Sequence, residues 1–183
     1  MKLFFASDLH GALPAAEKML QQFTQSGANT LILLGDLLNH GPRNPIPEGY
    51  NPPAVAEKLN DYAKQIIAVR GNCDSEVDQM LLDFPIMSDF AWVLLPSGQR
   101  LFLTHGHLYD EQNLPPLSMG DIVVHGHTHL ARAERCGNHF VLNPGSVTFP
   151  RSQSVASFAV LDGFCFTVYG FEGEILASLD LSQ

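Results

Sequence analysis

The sequence predicts an α/β fold in which two mixed sheets pack face to face with helices outside. Three observations carry this. Residues 2–72 alternate strand, helix, strand, helix, strand. Residues 91–180 hold further candidate strands joined by short turns. Successive strands also end in carboxylate, amide or imidazole side chains, as expected where ligands gather at the carboxyl ends of an open α/β sheet.

The element order follows from pattern. KLFFASD (2–8) reads as a buried strand. Pro14 then opens a helix whose apolar residues Ala16, Met19, Leu20 and Phe23 recur at helical spacing, and Gly27 ends it. TLILLGD (30–36) is a second buried strand, and residues 41–53 form a Pro/Gly-rich loop. A second helix carries Val55, Leu59, Tyr62 and Ala63 on one face, and QIIAVRGN (65–72) is the third strand. Strands joined by helices are expected to run parallel through right-handed crossovers. Beyond them, candidate strands at 91–95, 100–104, 121–125, 131–136, 139–142, 156–161, 164–170 and 174–180 meet at turns such as Asp162-Gly163 and Glu172-Gly173, which predicts antiparallel pairing. No repeat, low-complexity stretch or linker divides the chain, so residues 1–183 read as one domain.

Composition narrows the class. A net charge of −9 argues against a nucleic-acid polymer as partner, which would need a basic face. No apolar run reaches the ~18 residues of a membrane span. The opening apolar run stops at Asp8, too short for a signal peptide. Cys73, Cys136 and Cys165 have no framework spacing, and a reducing cytoplasm is the expected location. The 41–53 loop and exposed edge strands leave a homo-oligomer open.

The densest chemistry is VHGHTH, residues 124–129, with His125, His127 and His129 at every second position. Three histidines on one strand could be ordinary polar residues satisfied by neighbours. The other strand ends decide against that. The first runs into Asp8 and His10, the second into Gly35-Asp36, the third into Gly71-Asn72, and the 100–104 strand into His105. Taken in order, these point to a metal site. Asp36 has two carboxylate oxygens and can bridge, and Asn72 offers a neutral carbonyl oxygen. Nitrogen and oxygen donors without thiolate suit Mn²⁺, Co²⁺, Ni²⁺, Fe²⁺ or Zn²⁺.

The motifs SDLHG, GDLLNHG, RGNCD, THGH and HGHTH resemble those of the calcineurin-like metallophosphoesterases, and the chain is similar in length to their small bacterial phosphodiesterases. The resemblance covers nearly the whole chain. It implies a four-layer α/β/β/α sandwich and two divalent transition-metal ions, Mn²⁺ being the first expectation. It places one ion on Asp8, His10, Asp36 and His129, and the other on Asp36, Asn72, His105 and His127. His125 has no counterpart among these ligands. Two divalent ions against two carboxylates leave the centre positive by about two, which lets a phosphate enter an acidic protein.

The resemblance further implies hydrolysis of a small phosphodiester by a metal-bridging hydroxide, with Asp36 and Asn72 serving the chemistry. His107 could orient His105 or meet substrate, and His40 and Arg43 lie close enough in sequence to Asp36 to reach a phosphate. Asn143, in NPGS, could support the site or simply form a turn. Many members place histidine where this chain has Cys73, in Gly71-Asn72-Cys73-Asp74. That histidine helps the leaving group depart, so its absence predicts best activity on activated aryl diesters. Phosphomonoester or cyclic-nucleotide hydrolysis is the alternative enzymatic reading. A protein-interaction scaffold on the same fold is the alternative of another class, and the complete ligand set argues against it.

Overall fold

The computed structural model describes residues 1–182. A six-stranded sheet has the order β11-β10-β9-β1-β2-β3, and a five-stranded sheet the order β4-β5-β6-β8-β7. The strands are β1 (Lys2–Ala6), β2 (Thr30–Leu33), β3 (Ile66–Ala68), β4 (Phe90–Leu94), β5 (Arg100–Thr104), β6 (Ile122–Val124), β7 (Ala131–Cys136), β8 (His139–Pro144), β9 (Ser157–Asp162), β10 (Cys165–Gly170) and β11 (Ile175–Asp180).

Side chains alternate across each strand, and the buried sets follow that period. Phe4, Ala6, Leu31 and Leu33 face α1 (Leu13–Ser26) and α2 (Pro52–Asn60). Leu3, Phe5 and Ile32 face the second sheet, where they meet Leu101, Leu103, Ile122, Val124, Phe140 and Leu142. Phe5 stands edge-on to Phe166 at 5.6 Å. Truncating either ring to alanine is expected to cost about 3–5 kcal/mol.

α1 carries Pro14 in its first turn, buries Ala16, Met19, Leu20 and Phe23, and is capped by Gly27 at φ 70°. The left-handed conformation there suits glycine. In α2, Pro52 and Pro53 occupy the first turn, capped by Asn51, so the expected 41–53 loop ends earlier. Proline at that position has no N–H to satisfy. The helix stops at Asn60; Tyr62 and Ala63 lie beyond it, leading into a short 3-10 turn, yet still pack on the core. A short helix, α3 (Glu76–Gln79), was not foreseen; the Ser75/Asp78 capping box starts it.

The expected antiparallel pairing holds for β4–β5, β7–β8, β9–β10 and β10–β11. It fails for β5–β6 and β6–β8, which are parallel. Residues 105–121 supply the crossover that a parallel neighbour needs, and the β7–β8 hairpin returns β8 to lie between β6 and β7. The outer face of the second sheet, with Phe102, is covered by this same crossover: Tyr109 stands edge-on to Phe102 at 5.4 Å. Among the described residues, no helix lies within this crossover.

β1, β2 and β3 are mutually parallel, as are β5, β6 and β8, so each sheet gathers three carboxyl ends on one edge. The two edges meet through His127 N–H to Asp8 Oδ2 and Val147 N–H to Ser7 O. No helix among the described residues is long and apolar enough to cross a membrane.

Candidate metal centre

The loops leaving these strand ends are built at close quarters. A Cβ on Gly71 would stand 2.1 Å from Asp36 Oδ1, and one on Gly126 would stand 1.9 Å from Ser7 Oγ. Glycine in the RGN and HGH motifs is therefore a matter of space. Seven non-glycine residues among those described have positive φ: Asp8, His10, Asp36, His127, His129, Ser152 and Gln153. Five of these are candidate ligands. Left-handed backbone costs roughly 1–2 kcal/mol per residue, and such strain gathers at functional sites.

The imidazoles are oriented by the main chain. His10 Nδ1 lies 3.0 Å from the Asn39 carbonyl, His105 Nδ1 2.7 Å from that of Leu34, and His129 Nδ1 2.6 Å from that of Phe149. A carbonyl only accepts, so each Nδ1 carries a proton and each Nε2 is turned toward the centre, where the ring would offer a lone pair once a cation displaces any proton there. Those Nε2 atoms converge on two buried carboxylates. His129 Nε2 is 3.2 Å and His10 Nε2 3.8 Å from Asp8 Oδ1; His10 Nε2 is also 3.8 Å and His105 Nε2 3.5 Å from Asp36 Oδ2. Asn72 Oδ1 and His127 Nδ1 each approach His105 Nε2 to 3.2 Å.

This donor set fits divalent ions. Asp8 Oδ1 and His10 Nε2 are buried without a hydrogen-bond partner, and a cation is what lone pairs so aimed can hold. Asp8, His10 and His129 present atoms within 4.8 Å of one another, and so do Asp8, Asp36 and His105. Burial pushes the Asp36 carboxyl up, but bonds and charge from His105 and the Cys73 N–H outweigh it and hold it below the usual range. Asp8 is held low against the same burial by His129 and His105. Burial opposes the charged form of His105, yet Asp36 and Asp8 raise its pKa to about 9. Burial and His105 press His127 down to about 4, which keeps it a neutral donor. The cluster concentrates negative charge where cations would sit.

The calcineurin-like phosphoesterase superfamily domain matches residues 1–163. The chain belongs to that superfamily. It is 59% identical over 168 residues to phosphodiesterase YfcE of Escherichia coli, covering 92% of this chain and 91% of that one. A solved structure of this E. coli phosphoesterase superposes with a TM-score of 0.97 at 55% identity over all of both chains. Phosphodiesterase MJ0936 of Methanocaldococcus jannaschii is 29% identical over 152 residues, 79% of this chain and 83% of that one. The zinc complex of Vps29 from Entamoeba histolytica shares the fold, with a TM-score of 0.66 at 18% identity over both full chains.

In this phosphoesterase, Asp36 divides its oxygens. Oδ1 accepts the Cys73 N–H at 2.8 Å, so Oδ2 alone lies between His10 and His105. Cys73 Sγ lies within 4.8 Å of the His10 and Asp36 donor atoms and accepts from Asn72 Nδ2 at 3.1 Å. Burial and the Asp36 charge push the thiol above its usual range, so it stays a neutral thiol.

A cleft of about 480 Å³ opens over Asp36, Asn72, Cys73, His127 and His129, and Arg43 lies on its lip. His40 does not line it; its ring stands edge-on to Tyr50 at 5.3 Å, away from any phosphate above the cluster. His107 packs beside His105, ring centres 5.3 Å apart, and also lies outside the lining. His125 packs against Gly126 and Asn143 and lines a neighbouring cavity beneath the crossover. Asn143 is fully buried and donates to Gly126 O at 2.9 Å and Thr128 Oγ1 at 3.1 Å, so it holds the loop bearing His127 and His129.

Two features are not legible in the sequence: the loop staple made by Asp74 and the place of Arg151 at the cleft. Asp74 accepts the N–H groups of Asp36, Leu37 and Gly71, stapling the second strand end to the third. Burial and Asp36 raise its pKa to about 6 against those bonds. Arg151 lines the same cleft as Arg43, in a segment with no motif or periodicity to mark it.

Proposed function

We propose that this chain is a phosphodiesterase that works with two divalent ions, one on Asp8, His10, Asp36 and His129, the other on Asp36, Asn72, His105 and His127. The observation that carries this is the position of Asp36 Oδ2 between His10 and His105. When bound, such ions supply an activated hydroxide and offset the charge of the phosphate oxygens. The protein contributes orientation. Backbone carbonyls lock three imidazoles, Asp74 fixes the loop of Asp36, and Asn143 fixes that of His127 and His129. Asn72 holds its carbonyl toward His105 and its amide beside Cys73, over the cleft.

Aryl diesters are the preferred substrates on this reading. A thiol is a weak hydrogen-bond donor, and Cys73 stands where leaving-group protonation would be supplied. A nitrophenolate departs without a proton; an alkoxide does not. The acidic chain and the walled cleft favour small diesters over nucleic-acid polymers. Nitrogen and oxygen donors suit Mn²⁺, Co²⁺, Ni²⁺, Fe²⁺ or Zn²⁺ alike, and the resemblance to the family puts Mn²⁺ first.

The test is hydrolysis of matched aryl mono- and diesters by chelated protein reloaded with each ion. Diester turnover should vanish on chelation and return with metal, with kcat/KM above that of the monoester. Equal rates with and without metal would sink the mechanism, and a monoester preference would reassign the substrate class.

A further inference from the structure

We infer that Arg43 and Arg151 form an anion subsite on the lips of the cleft, selecting phosphodiesters that carry a second negatively charged group on one ester substituent. This rests on the phosphodiesterase reading and goes beyond it by naming the substrate class.

The first support is electrostatic. The chain has ten Lys and Arg against nineteen Asp and Glu, so carboxylate partners are plentiful. Arg70, Arg100 and Arg132 each take one. Arg43, Arg135 and Arg151 are in no ion pair among the described residues, and of these Arg43 and Arg151 line the cleft. The only carboxylate in that lining is Asp36, already engaged with His10, His105 and the Cys73 N–H. A guanidinium is matched to carboxylate and phosphate geometry. The metal centre, positive by about two when loaded, already answers the single charge of a diester. Two more cations above it are in excess unless the substrate brings another anion.

The second support is how each arginine is carried. Arg151 N–H donates to His129 O at 3.2 Å, and the next two residues, Ser152 and Gln153, sit at φ 56° and 62°. Two consecutive left-handed residues are a costly way to turn a surface loop, and here they hold Arg151 beside a candidate ligand. Arg43 lies in a turn closed by Asn44 N–H to Gly41 O and Asn44 Nδ2 to His40 O. A Cβ on Gly41 would stand 2.7 Å from Cys73 Sγ, so this turn rests directly on the floor of the site. Both cations are thus referenced to the reacting centre. A cavity of about 480 Å³ has room for an ester substituent beyond the phosphate.

The test uses 4-nitrophenyl phosphodiesters with one leaving group and a second substituent that is phenyl, carboxyphenyl or phosphate-bearing phenyl. With the Mn²⁺-loaded enzyme, kcat/KM should be ~10-fold higher for the two anionic substrates, chiefly through KM. Arg43→Gln and Arg151→Gln should each lose ~3–30-fold more on those than on the phenyl diester, as expected for charge-assisted bonds at an exposed lip. Calorimetric binding of phenylphosphonate and 4-carboxyphenylphosphonate gives a readout independent of turnover. The native protein should favour the carboxylated ligand, and the double variant should bind both alike. A native ratio near one, or a ratio unmoved in the double variant, overturns the subsite even if diesters are hydrolysed. An intact ratio without any metal-dependent diester turnover overturns the phosphodiesterase reading instead.

Discussion

The Cys73 N–H donates to Asp36 Oδ1 at 2.8 Å, and this one bond turns Asp36 Oδ2 toward both His10 and His105. Asp36→Asn would keep an acceptor for that N–H and place an amide N–H₂ where a lone pair is needed. Since weakening an outer partner of a metal ligand typically costs 10–100-fold, loss of a ligand shared by two ions should exceed ~100-fold in kcat/KM. Metal content by mass spectrometry should fall in parallel. An Asp36→Asn protein with native metal content and native turnover would remove Asp36 from the centre.

Cys73→His should raise hydrolysis of diesters with alkoxide leaving groups, since general-acid help is typically worth ~10²–10⁴ in rate. Aryl diesters should change by less than ~10-fold. Asp74 is adjacent in sequence but cannot orient the new ring, because both its oxygens are taken by main-chain N–H groups. The gain should therefore fall toward the lower end of that range. Room for the ring must come from the turn at Gly41, and overpacking is expected to lower stability by ~1–3 kcal/mol. No gain on any alkoxide-leaving diester, in a folded and metal-loaded variant, refutes the role given to position 73.

His127 sits at φ 63°, a conformation free of strain only for glycine. In chelated protein, His127→Gly should be more stable than His127→Ala by about 1 kcal/mol, although glycine is the more flexible residue when unfolded. Urea denaturation of the two variants measures the difference. Both should lose metal-dependent turnover. The opposite stability order would show that the backbone there is not strained.

Asp121 is buried at the foot of the second sheet, where it accepts the Ser118 N–H and two bonds from Arg100. Burial pushes its pKa up, and Arg100 with the Ser118 N–H outweighs that and holds it below the usual range. A depressed carboxyl contributes stability above its unfolded pKa of about 4, lost as pH falls through the folded value. Thermal melts should show Asp121→Asn less stable than the native protein at neutral pH. The gap should narrow below pH ~4; a gap that stays constant into acid would assign the loss to packing instead.

Much of the architecture was legible because it rests on short-range pattern. The apolar runs in 2–8 and 30–36 read as buried strands, whose two faces separate Phe4 from Phe5, and helical spacing from Ala16 to Phe23 marked the packed face of α1. Residue type at the strand ends identified Asp8, His10, Asp36, Asn72, His105, His127 and His129 as a set, since few other chemistries call for that mixture.

The tertiary structure alone decided what depends on contacts far apart in sequence. The parallel placement of β6 between β5 and β8 is set by the crossover at 105–121, whose path leaves no periodic signal. The choice of which Asp36 oxygen faces the centre comes from an N–H 37 residues away. The staple from Asp74 and the sharing of one cleft by Arg43 and Arg151 likewise exist only once loops from separate strands share one edge. Side-chain chemistry is written residue by residue, but the direction in which a lone pair or a charge points is a property of the assembled backbone. Five of the candidate ligands hold that backbone in a conformation which neither aspartate nor histidine would announce in sequence.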